Sequence, residues 1–533
     1  AAGGDLRLVA RPRLSSAAAE AIPNAAASPL YRTQGSASIG RDYLRFTVLG
    51  IDPFTFGPVT RYRPDFAARP MGELLGEIAA APPPLSSTAT LPGQPVEVGL
   101  WLYTGPDTEA RESFNTPRGA SDLDRVGLGI RLVSAQGEVL ALNLRPVAPD
   151  GPPIYPADGR RYFRATLPAL ASASYPLALD ALTVRNRARR DDDFAIRLPE
   201  SMQLVIDEVT AVDAGGERTV AVDVERALGL PLGASASGSA IFGPANSWSG
   251  EGGLALSAYF AVGEALTLLS GERPVVDDKL PALVSPAFLA ATDAAVGEAI
   301  SAAIDSRPLT LRVAGVVNYF PTVYEELNAG FVVVNRDALL AFLNARPDAA
   351  VNVNEAVMAA RTDAVETPDV AGVEVVVAEE LRRTFKADPM GLGLRSVTLF
   401  GYALTALLAL IGFVTYFYFS ARQREAIYGV LRSIGLSPGQ LYGALLLEQV
   451  VLVLAGLAIG TALGLLLNRI TLPGLPITFG DRPPTPPFLA RNDWAALTRI
   501  YLTLAGAFVL ALGAATALLW RTKLHRALRV GEE

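Results

Sequence analysis

The chain has 533 residues, half of them hydrophobic, with a mean hydropathy of +0.30 and a net charge of −7. The acidic balance excludes a general nucleic-acid binder, which needs a basic surplus to neutralise phosphates. With no cysteine and a single histidine, His525, disulfides, thiolate metal sites and any site built on two histidines are excluded as well. The length allows three or four domains of roughly 100–200 residues each, and the hydropathy points to a membrane portion. The chain begins at Ala1 in polar-alternating sequence, without Met or a signal-peptide pattern. The expectation is a fragment or a trimmed chain.

The first part of the chain alternates strands and helices. The apolar/polar alternation of "YLRFTV" (Tyr43–Val48) and "LTLRVAGVV" (Leu309–Val317) predicts strands. Met71–Ala80 and Asp337–Asn344 read as helices. Two segments echo each other: "VLGIDPFTF" from Val48 and "VAGVVNYFP" from Val313. Each is a strand end of the form Val-x-Gly-apolar with a Phe further on. The expectation is an α+β domain in two lobes.

Between these parts lies "AAAPPPLSSTATLPGQP" (Ala79–Pro95), a Pro/Ser/Thr-rich linker. Short strands follow at Val96–Trp101, Val126–Val133, Val139–Leu144, Arg161–Leu167, Pro176–Val184 and Met202–Ala211. In the second of them Val126, Leu128, Ile130 and Leu132 face one way; Gly127, Gly129 and Arg131 face the other. Many short period-two strands predict an inserted β-sandwich of jelly-roll outline. Trp101, Tyr103 and Trp248 fit either core and rim packing or stacking on a ligand. The run Asp191-Asp192-Asp193 follows four arginines and reads as a self-paired turn before a calcium site.

Three uncharged apolar runs then predict membrane spans at about Val397–Phe419, Gln449–Asn468 and Ile500–Trp520. The first, as a helix, reaches about 34 Å, enough for a hydrocarbon core of about 30 Å. Arg422, Arg424 and Arg432 after span one, with Arg521, Lys523, Arg526 and Arg529 after span three, place those two segments in the cytoplasm by the positive-inside rule. Everything before Val397 is then extracytoplasmic. Gly456, Gly460 and Gly464 form a doubled G-x-x-x-G in span two. This stripe suits a tight helix pair, in the chain or across a dimer, or reflects the general abundance of glycine in membrane helices. No ionisable residue lies near the centre of a span, which argues against ion coupling within this chain. Glu448, at the cytoplasmic start of span two, is either an interfacial solvated carboxylate or a partner for a basic group.

Residues 420–440 join spans one and two. Ile427, Val430, Leu431 and Ile434 recur at helical spacing and make one apolar face. Gly435 is a helix stop. Ser437-Pro438-Gly439-Gln440 then has the cap, first-turn proline and reciprocal glutamine of a new helix start. This short amphipathic helix suits the inner leaflet or a soluble partner.

The pattern "RQREAIYGVLRSIGLSPGQLYGALLLEQVVLVLAGLAIGTALG" resembles the FtsX-like permease domain of MacB-type ABC transporters, with Arg422, Arg424, Glu425, Arg432, Gly435 and Glu448 at matching places. The basic ending "LLWRTKLHRALRVGEE" is also similar. The resemblance implies that Arg422 to Gly435, including Val430 and Leu431, is a coupling helix seated on a separate ABC ATPase chain. It also implies a second permease unit, as a homodimer or the other half of a tandem permease, a bacterial plasma-membrane location, and a MacB-like porter domain outside. A full unit of the family has one further span before its extracytoplasmic domain; the chain is cut after that span, or is the second half of a tandem permease. The domain boundaries that follow are 1–94 and 224–395 for the porter-like domain, 95–223 for the inserted sandwich and 396–533 for the membrane domain. The implied role is mechanotransmission, in which ATP hydrolysis moves the outer domain to export or release a substrate. The alternative is a membrane-anchored extracytoplasmic binding or sensor protein.

No phosphate-binding loop of the G-x-x-x-x-G-K-[ST] form and no H-E-x-x-H occurs in the sequence, and a Ser-His-Asp triad would need His525, across the membrane from the large domain. No catalytic residue and no cofactor are assigned.

Overall fold

The computed structural model describes residues 5–10, 14, 25–39, 42–79, 89–104, 126–147, 161–186, 203–223, 239–245, 253–259, 265–270, 279–323, 329–347, 349–360, 373–387, 389–423, 434–435, 437–471, 486 and 492–529. The chain divides into two compact units, Ala1–Leu381 and Arg382–Glu533. The first is α+β and rich in sheet; the second is helical.

In chain order the first unit holds β1 (Leu6–Ala10), β2 (Ala25–Ile39), β3 (Asp42–Ile51), α1 (Pro53–Val59) and α2 (Met71–Glu77). The strands β4 (Ala89–Thr90), β5 (Glu97–Thr104), β6 (Val126–Val133), β7 (Val139–Pro146), β8 (Arg161–Thr166), β9 (Ala178–Asn186), β10 (Gln203–Val212), β11 (Arg218–Asp223), β12 (Ser239–Ala245), β13 (Gly253–Tyr259) and β14 (Ala265–Ser270) follow. Then come β15 (Lys279–Val284), α3 (Pro286–Thr292), β16 (Ala299–Ile304), β17 (Arg307–Val316), β18 (Phe331–Asn335), α4 (Arg336–Leu343), β19 (Glu355–Ala360) and β20 (Val373–Val377), and helix α5 (Ala378–Ala387) begins in the first unit and ends in the second. The strands and helices expected from alternation and helical spacing lie where the sequence placed them, within a few residues. Ala89–Thr90, inside the expected linker, is itself a short strand paired with β9.

Nine strands make a first sheet in the order β16-β17-β15-β18-β3-β2-β19-β1-β20. β16 also pairs with β2 at Ala303–Ser36 and Ile304–Gly35, so six of the strands close on themselves. β18, "FVVVN", is buried along its whole length because both faces are covered. Val332 and Val334 enter one core with Phe46, Phe288 and Leu311. Phe331 and Val333 enter another with Leu74, Leu75 and Phe320. A continuous apolar run is what a two-sided strand requires.

The two echoing segments become β3 and β17. Each runs parallel to one central strand, β3 to β18 and β17 to β15, and those two central strands pair antiparallel. The arrangement is a pseudo-two-fold about β15–β18. In both echoes the glycine lies under a helix. A Cβ on Gly50 would sit 3.2 Å from the Arg336 backbone, and one on Gly315 would sit 2.7 Å from Leu74. The two terminal phenylalanines, Phe56 and Phe320, stack at 5.5 Å with planes 5° apart.

Strands β4–β14 form a second, eleven-stranded sheet along β12-β13-β10-β5-β8-β7-β6-β9-β14. Its segment is inserted between β3 and β15 of the first sheet. Residues from both ends of the path, among them Leu128, Leu182, Leu100, Phe163 and Ile206, share one core. The strands taken up run from Ala89 to Ser270, so β12–β14, which lie beyond the expected boundary at 223, pair with β10 and β9 of this sheet.

The second unit holds three long helices: α6 (Pro389–Gln423), α7 (Pro438–Thr471) and α8 (Trp494–Arg529). Each contains a stretch long and apolar enough to cross a membrane: Arg395–Ser420, Leu447–Ile470 and Trp494–Ala514. At 1.5 Å per residue, helices of 35, 34 and 36 residues reach about 50 Å and extend past the hydrocarbon.

Candidate functional site

The connection between α6 and α7 is where the sequence placed its candidate residues. Arg422 lies in the last turn of α6, where a cation opposes the partial negative charge of the helix end. Arg424, Glu425, Val430, Leu431 and Arg432 lie outside the described residues. Gly435 has φ +101°, left-handed backbone that glycine adopts without a Cβ clash; the helix it was expected to stop lies outside the described residues. Two residues on, the start of α7 is closed by a reciprocal pair. The Ser437 N–H donates to Gln440 Oε1 at 3.0 Å, and the Gln440 N–H donates to Ser437 Oγ at 3.4 Å. This is the capping box read from Ser437-Pro438-Gly439-Gln440, and it satisfies two of the backbone groups at the start of α7 reciprocally.

Glu448 is half-buried, eleven residues into α7 counted from Ser437. Its neighbour Gln449 is 1% exposed, and neither its Nε2 nor its Oε1 has a hydrogen-bond partner among the described residues. Sequence reasoning missed Gln449; the signal was a carboxamide opening an otherwise apolar run. Besides Gln449, the buried side chains of this unit, among the described residues, are Phe417 and Ala511.

Gly456, Gly460 and Gly464 stand exposed on α7, and a Cβ added to any of them would meet nothing within 4 Å. No helix of this chain therefore approaches the stripe closely, among the described residues. The stripe instead forms one wall of a groove of about 580 Å³ whose other side is α8. Thr461 and Tyr501 join the two helices across it through hydroxyls 2.6 Å apart. Asn468 Nδ2 donates to Asn492 Oδ1 at 3.1 Å at its polar end, and Asp493 caps α8 by accepting the Ala495 and Ala496 N–H groups. α6 meets α8 through Phe413 and Phe508, edge to face at 4.9 Å.

Residues 399–524 match the family model of the FtsX-like permease C-terminal domain. The second unit carries an FtsX-like permease domain. The match runs from within α6 to within α8 and takes in α7 and the charged connection. Together with the three apolar helices, the match supports a membrane protein with a permease-type role; the matched family is one of transporters. Members of the family generally work with an ABC ATPase partner. No curated protein matches the chain.

In the first unit the aromatic candidates divide. Trp101 packs on Tyr162, ring centroids 5.1 Å apart, and Arg218 lies over the same Tyr162 ring at 4.4 Å. The Tyr103 side chain, Trp248 and Asp191–Asp193 lie outside the described residues.

Proposed function

We propose that the chain is the permease subunit of an ABC transporter of the mechanotransmission type. Residues 420–440 receive the motion of a separate ATPase chain, with Arg422, Arg424, Glu425, Val430, Leu431, Arg432 and Gly435 forming the contact. The permease-domain match across residues 399–524 carries this reading. The capped start of α7 supports it, because a helix rooted by a capping box and a left-handed Gly435 transmits a push along its axis instead of absorbing it in a loose turn. The spans relay that push, Glu448 marks the inner interface, and the first unit, extracytoplasmic by the distribution of basic residues, changes shape to export or release a substrate. The three spans lack a central ionisable residue, which suits a relay better than a polar conduit.

In this reading the first sheet is the porter-like domain, similar to the MacB-like core, and the eleven-stranded sheet is a β-sandwich inserted into it. The bare glycine stripe packs against a second permease unit, and the protein resides in a bacterial plasma membrane. The test is co-purification from detergent with an ABC ATPase encoded beside this chain. Retention lost on Glu425→Lys supports the contact; an ATPase never retained by the unaltered chain removes the permease role.

A further inference from the structure

The connection between α4 and β19, residues 344–354, is stitched to both sheets by side chains that stand in for backbone. Arg131 projects from β6 of the second sheet on the face opposite its core, yet it is 2% exposed. Its Nη1 donates to the carbonyls of Asn344 at 3.1 Å and Ala349 at 2.8 Å, and also to that of Arg346. Its Nε donates to Asp180 of β9. Asp180 reaches that face through a register shift: Arg131 pairs with Ala181 and Leu132 with Leu179, leaving Asp180 as the extra residue of a bulge. A bulge re-aims one side chain of a strand, and here it brings a carboxylate beside the guanidinium.

Three further contacts close the same segment. Asn352 accepts the Val139 N–H at 2.8 Å and donates to the Val139 carbonyl at 2.7 Å, on β7 of the second sheet. Asn354 makes the same two-way pair with Arg32 on β2 of the first sheet, at 2.9 and 2.8 Å. Asn344 spans the loop itself, to the Val351 N–H and carbonyl, both at 2.8 Å. From the first sheet, Arg307 donates to the carbonyls of Phe342 at 2.5 Å and of Leu343. The C-terminal end of α4, with its partial negative charge, is thus held by one arginine from each sheet.

We propose that residues 344–354 are a buckle that locks the inserted second sheet to the first, so that the two move as a single body. The inserted module is then not a tethered appendage; displacement of the first sheet is delivered to it undiminished. This inference concerns the first unit alone and stands or falls independently of the ATPase contact.

The chain has no cysteine, so two can be introduced cleanly. Ser301→Cys on β16 and Val220→Cys on β11, both exposed, take spin labels on the two sheets of the full chain in detergent. Pulsed dipolar spectroscopy is expected to give one narrow distance distribution. Arg131→Met/Asp180→Leu replaces the buried pair by apolar groups, a change such sites commonly tolerate, and removes the grip on the loop. It is expected to broaden the distribution at least twofold and to speed amide exchange at Val351 at least tenfold. Should that variant fail to reach the membrane, Asn352→Ala carries the same two expectations at smaller amplitude. A broad distribution in the labelled parent, or an unchanged narrow one in the variants, overturns the proposal.

Discussion

In the first unit Phe163, Phe331 and Leu311 are fully buried, while in the second Leu408, Leu466 and Leu510 stand exposed along their helices. The polar groups run the other way. Arg131, Asp180 and Glu355 are buried and held by specific partners in the first unit, Glu355 by Arg7 at 2.9 Å and Arg32 at 2.7 Å. The second unit, among its described residues, buries only one polar side chain, Gln449, and leaves it without a partner. One sequence is therefore written for two solvents. Water drives apolar side chains inward and requires buried polar groups to be paired. Hydrocarbon removes the first demand and sharpens the second.

The largest expected effect sets one exposed hydrophobic residue against another. Leu408, 59% exposed at the middle of α6, faces lipid on this account, whereas Val220, 51% exposed on β11, faces water. Leu408→Arg is expected to cost about 3–4 kcal/mol of insertion and to lower the amount of protein in the membrane fraction. Val220→Arg is expected to change stability by less than about 0.5 kcal/mol. Equal behaviour of the two variants in membrane fractionation and thermal unfolding would erase the distinction.

The elements themselves were largely legible in the sequence. Period-two alternation marked β3, β6, β7 and β17, and the uncharged runs marked α6, α7 and α8, because each pattern answers directly to the solvent on its two faces. The capping box at Ser437 was legible for the same reason: its donors and acceptors are three residues apart. What stayed hidden was long-range. Arg131 reads as one residue on the solvent face of a strand until a loop some two hundred residues later covers it. Asp180 reads as an interruption of "ALDALTV" until the bulge turns it. The echo between Val48 and Val313 predicted two lobes, but nothing local reveals that both copies enter one sheet.

A second test sharpens the contrast between paired and unpaired burial. Among the described residues the Gln449 carboxamide has no partner to offset its desolvation, which costs about 1–3 kcal/mol for a buried polar group left unsatisfied. Gln449→Leu is expected to raise the thermal midpoint of the second unit by several degrees, since 1 kcal/mol moves a domain of this size by about 2–4 °C. A lowered midpoint would show that the carboxamide is paired and place Gln449 with the polar groups of the first unit.

The smallest expected effect is a pH dependence confined to the first unit. Tyr31 donates to Asp305 at 2.6 Å, and burial, followed by that carboxylate, pushes its phenol well above the ordinary value of 10.0. A pKa raised on folding gives stability that is complete below the unfolded-state value, near 10, and is lost as pH rises beyond it. Unfolding midpoints of the first unit are expected to fall above about pH 10, and to fall less steeply in Tyr31→Phe, which has no proton to lose there. Parallel alkaline profiles for the two proteins would remove Tyr31 as the cause.

The central claim is that the second unit, alien to water along its spans, carries between α6 and α7 a connection that we propose is built for a soluble ATPase. Its most direct test is quantitative co-purification of the full chain, in detergent, with any ABC ATPase encoded beside it, for the unaltered protein and for Glu425→Lys. The account predicts near-stoichiometric retention of the ATPase by the unaltered chain and at least a tenfold loss in the variant, with membrane yield unchanged. An ATPase retained equally by both proteins would contradict the assignment of residues 420–440 as the contact, and one retained by neither would contradict the permease role itself.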